Sequence, residues 1–237
     1  MRLNIFFFIL IGIHLTNAKL VMVIRHGEKI NDKMTGLSSK GQARADCLVE
    51  AFGSDGIYVT PQKIYAQSTE NKKSTRPRDT VTPLAYNLGL EVDLSFKSND
   101  VKKLVKQILN SPEEVVLVSW SNDKIDNIAK QFGIKDINSW DSSIFDDVWM
   151  INDGLTFYSK PSNNTIMPMK TYRGEGGFNM DVVKENVDEC INRVIPLYSK
   201  QTNSNITSSS TISKINTNKV LIFNALLLLL IIYFINY

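Results

Sequence analysis

Val21-Met22-Val23-Ile24-Arg25-His26-Gly27-Glu28-Lys29 is the stretch whose reading decides the fold: an apolar run that stops abruptly at an arginine, a histidine and a glycine. With Leu20 ahead of it, Val21–Ile24 is unbroken, β-branched and apolar, too short for a buried helix and suited to a strand covered on both faces. Polar residues at the carboxyl end of such a strand stand where open α/β sheets place their ligands. Arg25 offers a planar fork for two phosphate oxygens, and Gly27 lets a backbone or ligand come close. His26 lies between them. The sequence has 2 histidines, and the other, His14, falls in a leader expected to be removed.

Residues 1–18 carry a basic Arg2, an apolar core from Ile5 to Ile13 and a small Ala18 before the expected cut, the pattern of a secretory signal peptide. At the other end, Val220 to Tyr237 is a second apolar run. Ser208, Ser209 and Ser210 and a polar spacer precede it, the order of a glycosylphosphatidylinositol (GPI) anchor signal. A retained membrane span is the alternative, against which the lack of a basic flank after the run counts. Either way the chain is expected on the outer face of a membrane, held through its C-terminal tail. The expected organisation is a leader at 1–18, a domain at 19–200, a Ser/Thr/Asn-rich stalk at 201–219 and the tail at 220–237.

About 190 residues between the ends suffice for one well-buried domain. The full chain has 27 Lys+Arg against 24 Asp+Glu. Arg2, Lys214 and Lys219 lie in the ends, which hold no acids, so the domain is balanced and no electrostatic case for nucleic-acid binding survives. Cys47 and Cys190 are the only cysteines, and an even pair in an oxidising compartment suggests one disulfide. Two buried free thiols are the alternative. No metal-ligand spacing is present, so neither metal nor cofactor is expected. Asn163 and Asn205 head N-glycosylation sequons in polar, loop-like stretches.

Further along, Ser38 or Ser39 can cap a helix that buries Ala43, Cys47, Leu48, Ala51 and Phe52. Lys63–Ala66 reads as a second strand and Leu94–Phe96 as a third. Ser98 or Asn99 should cap a helix with Val101, Leu104, Val105 and Ile108 on its apolar face. Val115–Val118 reads as another buried strand, followed by a helix from Ile125 to Phe132 ended by Gly133. Asn152-Asp153-Gly154 predicts a hairpin between 145–151 and 155–158. A last helix is expected from about Met180 to Tyr198. Such alternation predicts an α/β three-layer sandwich with a mostly parallel central sheet and late antiparallel edge strands.

R-H-G after a first hydrophobic strand resembles the signature of the histidine phosphatase superfamily, the phosphoglycerate mutase-like proteins. The resemblance implies that His26 is a nucleophile that becomes phosphorylated and that Arg25 holds the phosphate. The phrase T-G-L-S-S-K-G-Q-A-R-A, Thr35 to Ala45, is similar to a second family motif. In the family a second phosphate-binding arginine is followed four residues later by a threonine, and R-P-R-D-T-V-T-P-L-A fits with Arg76 and Thr80 in those places. Arg78 would break that register.

Two adjacent positions depart from the pattern. A secreted, fungal-like subgroup reads W-E-H-x-x-I-x-x-I-A where this chain reads W-S-N-D-K-I-D-N-I-A. Trp120, Ile125, Ile128 and Ala129 match, but Asn122 replaces the second histidine and Ser121 the acidic residue. An asparagine can donate a neutral hydrogen bond to a phosphoryl oxygen but carries neither charge nor a proton to shuttle. Glu28, Glu91, Asp93 and Asp100 are candidates for the general acid, and no phrase selects among them. Two readings follow. One is an extracellular phosphomonoesterase acting on a phosphorylated small molecule or phosphoprotein, weakened by Asn122. The other is an inactive binding or surface protein on the same fold. The secretory address and Asn122 both speak against a sugar-phosphate mutase.

Overall fold

The computed structural model describes residues 19–69, 74–154 and 166–207, with side chains described up to 198. Its contacts divide the chain into two units, Met1–Ile195 and Pro196–Tyr237. In the first unit, β1 (Leu20–Arg25) leads through a polar loop into α1 (Ser39–Phe52), then β2 (Lys63–Ala66), α2 (Arg76–Leu88) and β3 (Val92–Asp93). There follow α3 (Val101–Asn110), β4 (Val115–Trp120), α4 (Asn122–Gln131), β5 (Asp147–Asn152), β6 (Lys170–Arg173) and β7 (Asn179–Lys184). The helix α5 (Asp188–Thr207) begins in the first unit; its residues from Pro196 onward are the described part of the second.

The sheet order is β3-β2-β4-β1-β5-β7-β6. β3, β2, β4 and β1 are parallel, whereas β5, β7 and β6 join in antiparallel fashion, so the α/β architecture is the expected one. All six residues of β1 and of β4 are buried, as required of central strands with both faces covered. Val21 and Val23 pack with Val116, Val118 and Trp120 beneath Leu104, Ile108, Ile125 and Ile128 of α3 and α4. The α1 stripe is buried, with Ser38 as the cap: its hydroxyl accepts a hydrogen bond from Gly41 N–H. Cys47 and Cys190 form a disulfide between α1 and α5, with Cα atoms 5.7 Å apart.

Several elements differ from the sequence reading. Leu94–Phe96 is not a strand: β3 pairs with β2 only through Val92 and Asp93, after which the Asp93 carboxylate accepts Ser95 N–H and turns the chain. Asp100, rather than Ser98 or Asn99, caps α3. The last helix begins eight residues later than expected because Met180, Val182 and Val183 are taken up by β7, paired on both sides. The edge strand β6 had no sequence signal, its residues being mostly exposed. No Gly or Pro follows Pro196 to stop α5, so it continues through Thr207 and makes the backbone at Asn205 helical rather than loop-like. Asn163, the second strand of the expected hairpin, the leader and the C-terminal tail lie outside the described residues. Among the described residues no helix is long and apolar enough to cross a membrane.

Candidate functional site

β1 and β4 run parallel and finish in register, Arg25 opposite Trp120, while β2 ends with Ala66 opposite Ser119. The chain therefore leaves three adjacent strands at one end of the sheet. His26 N–H donates to Trp120 C=O at 3.0 Å and Gln67 N–H to Ser119 C=O at 3.1 Å, extending the ladder by one residue on each side.

Arg25 is buried, with 3% exposure. Its Nη1 donates to the carbonyls of Ser142 at 2.6 Å and Ile144 at 3.1 Å, and its guanidinium carbon lies 3.8 Å from the Phe145 ring centroid. These contacts fix the plane of the fork, yet Nε is buried without a hydrogen-bond partner. Burial lowers the Arg25 pKa, and the charge of Arg76 adds to that.

His26 is 5% exposed. Burial pushes its pKa down to about 4; the Gly27 carbonyl opposes the shift, and the charges of Arg25, Arg76 and Lys29 add to it. The imidazole is therefore neutral near pH 7. Nδ1 lies 2.8 Å from Gly27 C=O, an atom that can only accept, so Nδ1 carries the proton and Nε2 keeps its lone pair. A neutral imidazole with a fixed tautomer is a nucleophile at Nε2.

Arg76 opens α2, half-buried. Its Nη2 donates to Met34 C=O at 2.7 Å, and its Nε is buried and unpaired. Thr80 ties this helix to the histidine loop: its hydroxyl accepts Gly27 N–H at 2.8 Å and donates to Arg76 C=O at 2.7 Å. Arg78 turns away to the neighbouring Asp79 carboxylate at 2.6 Å. Arg76 thus stands in electrostatic reach of both Arg25 and His26, whereas Arg78 is occupied elsewhere.

Ser121 and Asn122 follow β4 at the same end of the sheet. Ser121 N–H donates to Gln67 Oε1 at 3.3 Å, and its hydroxyl oxygen is buried without a partner. Asn122 is half-buried as the first residue of α4. The proposed acids are each engaged by a cation or open to solvent. Glu28 is gripped by Arg44 and Lys40, Asp93 pairs with Lys63, Asp100 pairs with Lys103, and Glu91 is exposed. Asp141, whose charge reaches Arg25, is held below the usual carboxylate range by Ser143 N–H. Among the described residues no group of three or more His, Cys, Asp or Glu side chains could hold a metal ion.

Sequence reasoning missed a buried ion network beside the histidine loop. Arg44, 2% exposed, donates from Nε to Glu28 Oε2 at 3.0 Å and from Nη2 to Glu28 Oε1 at 2.8 Å, while Nη1 reaches the fully buried Glu185 at 2.5 Å. Burial raises the Glu185 pKa to about 7; the charge and hydrogen bond of Arg44 oppose the shift, and the charges of Glu28 and Asp146 add to it. The signal was available for Arg44, which sits three and four residues before Cys47 and Leu48 on the apolar stripe of α1. It was absent for Glu185, which lies in the stretch where the sequence predicts the last helix and directly follows β7 in the structure. The carbonyls of Ser142 and Ile144 left no trace in the sequence either.

No family model matches the chain, and no curated protein matches it. Solved structures do match. One is that of a proposed alpha-ribazole-5'-P phosphatase from Escherichia coli, 11% identical, aligned over 63% of this chain and 97% of that one with a TM-score of 0.43.

Proposed function

We propose that the chain binds a phosphate monoester between Arg25 and Arg76 and transfers its phosphoryl group slowly to His26, in the manner of a histidine phosphatase. The observation that carries this reading is a pair of buried guanidinium Nε donors without partners, on two arginines whose charges both reach a neutral imidazole with its Nδ1 fixed by a carbonyl. Orphaned buried donors are costly, and a tetrahedral dianion would satisfy both. His26 Nε2 attacks phosphorus, the bond to the organic oxygen breaks, and that oxygen takes a proton from solvent. Water then attacks the phosphohistidine, giving inorganic phosphate and restoring the imidazole. The organic part of the substrate is a small molecule or a phosphoprotein side chain.

Turnover is weak because Asn122 and Ser121 stand where the resembling pattern has a histidine and an acidic residue. Asn122 supplies a neutral amide where a cation would offset charge developing on the phosphoryl oxygens. Loss of one such preorganised contact costs on the order of a hundred- to a thousandfold in rate. The second reading, an anion-binding surface protein without turnover, is favoured by the candidate acids, each of which is paired, exposed or held in its charged form. The address in both readings is the outer face of a membrane, reached by the secretory pathway and kept through the C-terminal tail, with glycans on Asn163 and Asn205.

Incubating the purified protein with an aryl phosphate across pH, beside a His26→Ala control, separates the two. The enzyme reading expects turnover that His26→Ala removes. Phosphate binding without turnover supports the second reading, and neither binding nor turnover discards both.

A further inference from the structure

Lys19 is the first described residue, and it is built into the fold rather than trailing from it. The side chain is 5% exposed. Its Nζ donates to Ser111 C=O at 2.6 Å and to Glu113 C=O, and the next residue's N–H donates to Glu114 C=O at 2.8 Å. Most telling is the backbone nitrogen of Lys19, which lies 2.9 Å from Asp153 Oδ2. An amide N–H gives a carboxylate one neutral hydrogen bond. The same nitrogen at a chain terminus is an ammonium with three protons, charged below a pKa of about 8.

We propose that the chain is cut between Ala18 and Lys19 and that Asp153 captures the α-ammonium so released. The inference rests on the reading of residues 1–18 as a leader and is independent of the phosphatase reading. In the cut, an endoprotease that accepts small residues directs water to the Ala18 carbonyl. The Ala18–Lys19 C–N bond breaks, Ala18 keeps a carboxylate, and the Lys19 nitrogen takes the proton. The neutral contact with Asp153 becomes a charge-assisted one, which is the stronger kind. Both ammonium groups of Lys19 then lie beside acidic or carbonyl oxygens, Asp153 at the backbone and the Ser111 and Glu113 carbonyls at the side chain, with the charges of Glu113 and Glu114 in reach. Processing in this way locks the start of β1, five residues before Arg25, against the turn that follows β5.

The full chain, expressed in secreting cells, provides the test. Intact-mass analysis should find Lys19 at the mature N-terminus. A second form carries Gly-Ser inserted between Ala18 and Lys19, so that the same cut leaves the Lys19 nitrogen an amide. Its Tm should fall by about 2–4 °C. Asp153→Asn should lower the Tm of the native-start protein by more than it lowers that of the inserted form, a double-mutant cycle that subtracts any other contact of Asp153. A mature chain beginning elsewhere overturns the cut. An unchanged Tm on insertion, or an equal Asp153→Asn effect in both forms, overturns the ion pair. Should the Asp153 variant fail to fold, the mass and the insertion still decide.

Discussion

On the proposed phosphatase reading, His26 couples stability and chemistry through one proton. Its pKa is about 4 in the folded protein against 6.5 for an unperturbed histidine, so the unfolded chain binds more protons between those values. Stability therefore rises with pH from about 4 to 6.5 and is lost as pH falls through that window, by roughly 3 kcal/mol. His26→Ala should flatten this part of a urea-unfolding profile, and an unaltered slope would place the titration elsewhere. Phosphoryl transfer should also fail as pH drops through about 4, when Nε2 takes a proton. Asn122→His should raise turnover ten- to a hundredfold, short of the full loss estimated for the missing cation because no acid is poised nearby; steady-state kinetics with an aryl phosphate measures it. These residues were legible because R-H-G and R-x-x-x-T are local strings. The acceptors that orient Arg25 are backbone atoms 117 and 119 residues away, and backbone carbonyls carry no sequence signature.

The loop after β1 is held at three points, two from α1 and one from α2. Gly41 of α1 comes so near that a Cβ there would lie 2.4 Å from Glu28 C=O, Thr80 of α2 takes Gly27 N–H, and Arg44 takes the Glu28 carboxylate. Arg44→Met leaves the buried Glu185 and the half-buried Glu28 with no guanidinium and should cost roughly 3–5 kcal/mol. Chemical denaturation should show the loss shrinking at acid pH, where Glu185 can take a proton. Removing the disulfide by Cys47→Ala with Cys190→Ala should cost a similar amount, because it frees a loop of 143 residues in the unfolded chain. Reduction that left the unfolding midpoint unchanged would refute that. The central strands and amphipathic helices were readable from periodicity. β6 and β7 were not, since Lys170–Arg173 is an exposed edge and the apolar residues of Asn179–Lys184 run without a clean alternation into the helix that follows. Their placement is decided by pairing across the sheet, which no local window contains.

For the molecule as a whole, the proposed membrane address asks what would hold a charge-balanced domain there. With Arg2, Lys214 and Lys219 set aside, 24 basic residues face 24 acidic ones, so no net attraction to anionic lipid is available. Among the described residues no helix can span a bilayer. On the proposed membrane address, attachment would come from Val220–Tyr237, and two outcomes differ in chemistry. If the serines near 208–210 carry the exchange, the apolar tail is cut off and replaced by a GPI lipid, whose phosphodiester a phosphatidylinositol-specific lipase cleaves. If the tail stays, its eighteen residues are just enough to cross the hydrocarbon core, and the lipase has no target. We expect lipase treatment of intact cells to move the protein into the medium, and mass spectrometry of the released chain to end among those serines. A protein that stays with the cells and yields peptides from Leu226–Leu230 would instead be a single-span protein, with the same site facing outward.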